Sequence, residues 1–217
     1  QIAREILVGE PGVGRVIARP FIGEEGAFKR TANRHDYSLP APEKTLLDYL
    51  KEAGKDVIGI GKIEDIFASR GITESVRTKN NDEGMDVILS FCERDFDGLC
   101  FLNLVEFDSV YGHRNDVDGY AKALSDFDIF LPRLLEKMQK EDILVICADH
   151  GCDPGTESTD HSREYAPLLV YGKALVPTNL DTRSTFSDLA ATLSEYFGLS
   201  ADFPGESFLS EMMGETK

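Results

Sequence analysis

The chain has 217 residues, of which 41% are hydrophobic, and its formal net charge at pH 7 is −16. This length and composition suffice for one hydrophobic core of ordinary size, which excludes a predominantly disordered protein. The acidic balance argues against a nucleic-acid-binding protein, since such a protein needs a basic face, and no apolar run approaches the length of a membrane-spanning helix.

The cysteines indicate reduced thiols. Cys92, Cys100, Cys147 and Cys152 show no C-x-x-C spacing, and two of them fall inside apolar, strand-like runs. We therefore predict free thiols in a cytosolic protein rather than a disulfide scaffold.

From about residue 43 the sequence alternates between helical and strand-like patterns. Residues 43–54 place apolar side chains at helical spacing and end on Gly54, a frequent stop for a helix. A continuous apolar run, GLCFLNLVEFD at 98–108, predicts a strand buried on both faces. Between these two elements we predict a strand at 56–61, a short helix over IEDIFASRG, and a helix at 83–95.

The same alternation continues to the C-terminal end. A long amphipathic helix is predicted at 119–140, and it is followed by strands at 142–149 and 165–172 and by a helix at 184–198. Alternating helices and buried strands predict an α/β fold with a mostly parallel sheet that is flanked by helices on both faces.

Acidic and imidazole side chains cluster just after the predicted buried strands. Ligands gather at the carboxyl ends of strands in such sheets, and three of the four histidines lie near aspartates in this part of the chain. A single Asp-His pair is typical of a polar loop, whereas three pairs favour a metal centre. The pairs are Asp108 with His113, Asp149 with His150, and Asp160 with His161.

The residue types and their spacing narrow the choice of metal. Carboxylate and imidazole together suit Mn²⁺, Zn²⁺ or Fe²⁺ better than Ca²⁺, which prefers oxygen ligands. Asp108 and His113 lie in one loop and can share an ion, while the adjacent Asp149 and His150 point in different directions. This spacing favours two ions over one, an arrangement that suits chemistry on a phosphate ester.

Longer motifs surround these residues: NLVEFDSVYGHRNDVDGY, ADHG and TDHSREYAPLLVYG, with ARPFIGEEGAFKRTANRHDY and GIGKIEDIFASRGIT earlier in the chain. Over nearly its whole length the sequence resembles the phosphopentomutase family of the alkaline-phosphatase superfamily. The resemblance implies an alkaline-phosphatase-like core with the end of a small α/β cap domain. Residues 1–35 would be the end of the cap and a hinge, and residues 36–217 the C-terminal part of the metal-binding core.

The resemblance also implies an activity. Members of that family interconvert ribose or deoxyribose 1-phosphate and the 5-phosphate, in the cytoplasm, as a step of nucleoside catabolism. The reaction uses two Mn²⁺ or similar divalent ions, a sugar bisphosphate activator and a phosphothreonine. In the family that threonine lies upstream of the segment that this chain matches. We therefore expect no catalytic nucleophile in these 217 residues, a view that fits a chain opening on Gln1 within a helical pattern.

The same resemblance implies which residues bind the metals and the substrate. Asp108, His113 and His161 would hold the first ion, and Asp149 and His150 would supply part of the ligands of the second ion. The candidate phosphate or sugar contacts are Arg15, Arg30 and Lys62, with Arg19 and Arg34 as further candidates. Cys152 stands where the family usually has Asn, and we interpret it as a neighbour of the metal rather than a ligand. Asp153 and Asp160 either orient the imidazoles or are solvated loop acids.

Alternatives remain open at the level of sequence. One is another enzyme of the same superfamily: a phosphatase, a sulfatase or a phosphoglycerate mutase. Another is an inactive fragment that binds metal or phosphate. The expected partners are small pentose phosphates, with neither nucleic acid nor membrane among them, while the sequence leaves the oligomeric state undetermined.

Overall fold

The computed structural model describes residues 2–9, 12–31 and 35–214. The helices are α1 (Ile2–Ile6), α2 (Leu46–Glu52), α3 (Ile63–Ile66), α4 (Asn81–Phe91), α5 (Val117–Lys137), α6 (Ser187–Tyr196) and α7 (Leu209–Met213). The strands are β1 (Arg15–Ala18), β2 (Phe21–Ile22), β3 (Lys29–Arg30), β4 (His35–Ser38), β5 (Asp56–Ile60), β6 (Glu74–Val76), β7 (Gly98–Leu102), β8 (Ile143–Cys147) and β9 (Leu168–Gly172). A π-helical turn at Phe107–Tyr111 and a 3-10 turn at Gly112–Arg114 follow β7.

The central sheet consists of three parallel strands in the order β6-β5-β7. On one face of the middle strand β5, Val57 packs with side chains of α2. On the opposite face, Ile58 and Ile60 pack with Phe91 of α4. These three strand residues are at most 1% exposed. The predicted α/β fold, with a parallel sheet and helices on both faces, is confirmed.

Strands β8 and β9 form an antiparallel pair with each other, from Ile143 opposite Gly172 to Cys147 opposite Leu168. Leu144 of β8 packs against a cluster of buried side chains from α4 and α5, which includes Met85 and Phe130. α5 continues through Pro132. Since α4 also packs against β5, helices α4 and α5 connect β8 to the central sheet.

The strand predicted at 98–108 is shorter and less buried than expected. β7 ends at Leu102, and each of its residues is half-buried rather than buried on both faces. Beyond β7 the backbone N–H of Glu106 donates to Oδ1 of Asn81 at 3.1 Å, and the N–H of Asn81 donates to Oε2 of Glu106 at 2.6 Å. These bonds draw the chain toward the start of α4, and Asp108 lies in a helical turn. The prediction is wrong here because an apolar run alone does not separate a strand from a packed helical turn.

The N-terminal strands pair antiparallel, β1 with β4 and β2 with β3. The β1–β4 pair is fixed to the core region, because the hydroxyl of Ser38 donates to the carbonyl of Asp65 in α3 at 2.6 Å. β4 spans the boundary expected between residues 35 and 36, so a strand pair joins the two segments on either side of it.

The cysteines are free thiols, as predicted. Burial raises the pKa of Cys100 in β7 to about 12, so this thiol stays protonated at neutral pH. Within the described part of the chain, no helix combines the length and the apolar character needed to cross a membrane.

Asp188, in the first turn of α6, is a buried acid with specific partners. It is 3% exposed, and its carboxylate accepts hydrogen bonds from the backbone N–H of Glu206 at 2.9 Å and from Nε of Arg183 at 3.1 Å. The bond from Glu206, together with the guanidinium of Arg183, holds the pKa of Asp188 below its usual range.

We predict that this carboxylate makes stability depend on pH. Because the pKa is lower in the folded state, the contribution of Asp188 is complete above the unfolded-state pKa, about 3.9, and is lost as the pH falls through the folded-state value. The Asp188→Asn variant should be less stable than the wild type at neutral pH, and the difference should shrink in acid. Urea unfolding at neutral pH and at acidic pH measures the difference in the free energy of unfolding. Asp128→Asn, on the exposed side of α5, is the control. A difference that does not change with pH would contradict the prediction.

Candidate metal centre

The candidate site lies where three segments of the chain meet. Asp108 is in the π-helical turn after β7, and His113 is in the 3-10 turn that follows. His150 comes shortly after the end of β8, and His161 lies in the segment that leads to β9. The two short helical turns place Asp108 and His113 on one loop before α5. The other two histidines, His150 and His161, follow α5 in the sequence.

Asp108 is at the centre of this group. Its Oδ1 atom lies 3.1 Å from Nε2 of His113 and 3.1 Å from Nε2 of His161. Possible ligand atoms of Asp108, His150 and His161 all lie within 4.8 Å of one another. The ring of His161 stacks on that of His150, with centroids 3.5 Å apart, and on that of His113, with centroids 5.0 Å apart. The structure thus brings together four of the five residues predicted to bind metal.

Asp149 is placed differently from the other four. Its side chain is 77% exposed, and its Oδ1 lies 3.5 Å from Nε2 of His150. It is not a member of the three-residue group, whereas His150, which the family resemblance assigns to a second ion, is a member. The assignment of Asp149 to a second ion stays a prediction.

Backbone carbonyls orient two of the imidazoles. Nδ1 of His113 lies 2.6 Å from the carbonyl oxygen of Thr159, and Nδ1 of His150 lies 2.9 Å from that of Gly151. A carbonyl can only accept, so each Nδ1 carries a proton and donates. In the neutral imidazole the lone pair is then on Nε2, which is the form that binds a metal.

This proton assignment creates a conflict that a cation resolves. With Nδ1 protonated, a neutral His113 presents the lone pair of Nε2 to the carboxylate oxygen of Asp108, so two acceptors face each other at 3.1 Å. Either a second proton on the imidazole or a cation between the two atoms makes the contact favourable. Imidazole and carboxylate donors suit a divalent transition metal, and donor atoms around one such ion, bonded at about 2.1 Å each, lie up to about 4 Å apart. The residues present therefore fit a metal ion.

Of the two acids considered as orienting partners, Asp153 has a different contact for its carboxylate, because Oδ1 accepts from the N–H of Gly155 at 2.8 Å. Asp160 bonds through its backbone, whose N–H donates to the hydroxyl of Ser158 at 3.0 Å, and the role of its carboxylate stays a prediction. At His113 and His150 the orienting role belongs to backbone carbonyls instead.

Gly151 permits a close approach between two of the segments. A Cβ atom at this position would lie 2.6 Å from the carbonyl oxygen of Ser162 and 2.7 Å from the backbone nitrogen of Glu164. Gly151 and Ser162 form an isolated antiparallel bridge. The absence of a side chain lets the loop that carries His150 lie directly against the segment that carries His161.

Cys152 lies beside the site without belonging to the ligand group. Its Sγ occupies the space next to Gly112, where an added Cβ would be only 2.2 Å away from the sulfur. Burial and the negative charge of Asp108 raise the pKa of this thiol. Cys152 is not among the three residues whose possible ligand atoms group together, and its interpretation as a neighbour of the metal stays a prediction.

The candidate phosphate-binding residues lie on the N-terminal strands and at the end of β5. Nη1 of Arg15 is 3.5 Å from Oδ2 of Asp36, whose side chain is only 8% exposed, while that of Arg15 is 48% exposed. Lys62 directly precedes α3, and Arg19 is exposed just after β1. Arg30 is in β3, but its side chain, like the whole of Arg34, lies outside the described residues.

Sequence reasoning missed Asn115, which follows the 3-10 turn. Its side-chain amide donates to backbone carbonyls of the segment before His161, and its backbone is left-handed, with φ 52°. An asparagine directly after a Gly-His-Arg turn was the available signal, because Asn is enriched in that backbone conformation.

Comparison with known proteins agrees with the geometry. A model of the metalloenzyme superfamily matches residues 24–201. A protein of Lachnoclostridium phytofermentans named phosphopentomutase is 62% identical over 214 residues, covering 98% of this chain and 55% of the relative. Phosphopentomutases of Acetivibrio thermocellus and Carboxydothermus hydrogenoformans are each 58% identical, covering 97% and 98% of this chain and 55% of each relative. The chain spans about half the length of these curated relatives.

We predict that Mn²⁺ binding depends on His161. Replacing it with Ala removes a ligand and should weaken the affinity by more than about tenfold, since even an outer-shell partner contributes about 10–100-fold. Titration calorimetry of metal-stripped protein measures the affinity. His35→Ala is the matched control, because this remaining histidine lies in β4 against the ring of Tyr37, with centroids 4.3 Å apart. Equal affinities of the His161→Ala variant and the wild type would rule out His161 as a ligand.

Proposed function

The chain belongs to the metalloenzyme superfamily, and from that premise we propose that it is part of a phosphopentomutase. The reaction is the interconversion of ribose or deoxyribose 1-phosphate and the corresponding 5-phosphate. The observation that carries this proposal is the meeting of His113 and His161 at Asp108, each at 3.1 Å, within a chain so similar to proteins of that name.

The proposal assigns this chain to the C-terminal part of a longer polypeptide. Residues 1–35 are the end of a cap domain and a hinge, and residues 36–217 belong to the metal-binding core. The threonine nucleophile, which forms the phosphothreonine intermediate, would be in the part of the relatives that this chain does not span. Support comes from the relatives' length, of which the chain covers 55%.

In this proposal the ligands form two groups. Asp108, His113 and His161 hold one divalent ion, and Asp149 and His150 contribute to the second. The bound ions, Mn²⁺ or similar, supply Lewis-acid stabilisation of the phosphate charge. The carbonyls of Thr159 and Gly151 keep the protons of His113 and His150 on Nδ1, so that Nε2 is the metal-binding atom.

The net charge of −16 makes local cations necessary for binding a sugar phosphate, because the overall field repels it. We assign that role to Arg15, Arg30 and Lys62. The guanidinium of Arg15 is suited to it, since a planar fork can make two parallel hydrogen bonds to a phosphate. The buried carboxylate of Asp36 lies 3.5 Å from Arg15 and limits the positions that this side chain adopts.

The expected partners are small pentose phosphates, including a sugar bisphosphate activator, and neither nucleic acid nor membrane. The acidic composition supports this expectation, since binding to nucleic acid phosphates requires a basic face. We place the enzyme in the cytoplasm, in nucleoside catabolism.

The test is an activity assay on the full-length protein that carries this chain. Ribose 1-phosphate is supplied with Mn²⁺ and a ribose bisphosphate, and both ribose 5-phosphate and free phosphate are followed. We expect conversion without phosphate release. The Asp149→Ala variant should lose about 100-fold or more of the activity because it lacks a predicted ligand, whereas Asp128→Asn, on the exposed side of α5, should retain it.

Two results would overturn the proposal. Stoichiometric phosphate release would make the protein a phosphatase of the same superfamily. Absence of turnover in a protein that still binds Mn²⁺ would leave only a metal-binding site.

A further inference from the structure

We propose that Asn115 is a positioning residue of the metal centre. Its side-chain amide ties the segment 154–158 to the turn that carries His113, and this attachment sets the position at which His161 meets Asp108. The inference rests on the proposed metal centre.

The amide of Asn115 reaches three carbonyls of one segment. Nδ2 donates to the carbonyl of Thr156 at 2.7 Å, to that of Ser158 at 3.0 Å and to that of Pro154 at 3.3 Å. An amide nitrogen carries two protons, so at least one proton is shared between two acceptors. The segment that accepts these bonds contains neither helix nor strand and lies 39 to 43 residues away in sequence. One side chain therefore anchors a stretch that has no regular backbone ladder of its own.

The neighbouring contacts extend this attachment as far as the metal ligands. Next to the carbonyl of Ser158, that of Thr159 accepts from Nδ1 of His113 at 2.6 Å. Two residues later Nε2 of His161 lies 3.1 Å from Oδ1 of Asp108. Along this segment, Ser158 thus accepts from Asn115 and Thr159 accepts from His113. The next contact, between His161 and Asp108, joins two proposed metal ligands.

The backbone of Asn115 is held in the left-handed region, with φ 52° and ψ 33°. Its N–H donates to the carbonyl of Gly112 at 3.1 Å and closes the turn that contains His113. Glycine adopts this conformation without strain. The Asn115→Gly variant therefore keeps the turn while removing the amide, and it separates the two contributions of the residue.

Loss of the amide removes the side-chain donor of three carbonyls, of which that of Ser158 keeps a bond from the hydroxyl of Thr156 at 3.1 Å. The segment 154–158 should therefore gain freedom. Metal binding would then have to order this segment. Outer partners of metal ligands contribute about 10–100-fold to metal affinity, so Asn115→Gly should weaken Mn²⁺ binding by about tenfold or more.

The experiment uses the full-length protein that carries this chain and has two readouts. Titration calorimetry with Mn²⁺ on metal-stripped protein gives the affinity, and hydrogen exchange of the metal-free protein gives the protection of backbone amides at 156–162. The matched control is Asp181→Gly, another left-handed position, whose side chain bonds Asn179 in the loop before α6. The thermal unfolding midpoint of the metal-free protein shows whether the fold is kept.

We expect Asn115→Gly to bind Mn²⁺ at least about tenfold more weakly and to exchange faster at 156–162, with an unchanged unfolding midpoint. The Asp181→Gly control should match the wild type in both readouts. Wild-type affinity, or unchanged exchange, in Asn115→Gly would overturn the inference while the metal centre stands. A wild type that binds no Mn²⁺ would instead overturn the metal centre, and unchanged exchange would then still reject the attachment by Asn115.

Discussion

The site depends on one carboxylate, that of Asp108, which lies 3.1 Å from the Nε2 atoms of two histidines at once. Hydrogen bonding to Thr159 fixes the proton of His113 on the other ring nitrogen, so the lone pair of Nε2 faces a negative oxygen. Only a proton or a metal cation makes that arrangement favourable. The same requirement explains why the surrounding loops orient the imidazoles with backbone carbonyls, which hold the proton away from the shared centre.

The fold brings these groups together at a considerable cost in chain entropy, since Asp108 and His161 are 53 residues apart. The parallel sheet and its helices offset this cost, because one buried cluster fixes β7 against α4 and a second fixes β8 against α4 and α5. The loops that follow β7 and β8 then bring the site residues into contact. Their contacts are specific hydrogen bonds and one close glycine approach at Gly151, rather than extensive apolar packing.

Much of this arrangement could be predicted from the sequence, because periodicity and residue type report directly on the elements involved. The alternation of patterns predicted the α/β fold, and the Asp-His pairs predicted residues that the structure brings together around Asp108. The end of β7 could not be predicted, since the bonds between Asn81 and Glu106 that hold the chain beyond the strand are tertiary. Asn115 was missed for the same reason, because its role depends on carbonyls about 40 residues away, and carbonyls are present in every residue.

The measurement that tests this account most directly is a crystal structure of the Mn²⁺-loaded protein with anomalous scattering at the manganese edge. The account predicts an anomalous peak about 2.1 Å from an oxygen of Asp108 and from Nε2 of His161. That peak would replace the direct contact between the two side chains, with Nδ1 of His113 still donating to Thr159. A structure in which manganese binds elsewhere, while Asp108 and His161 keep their hydrogen bond, would contradict it.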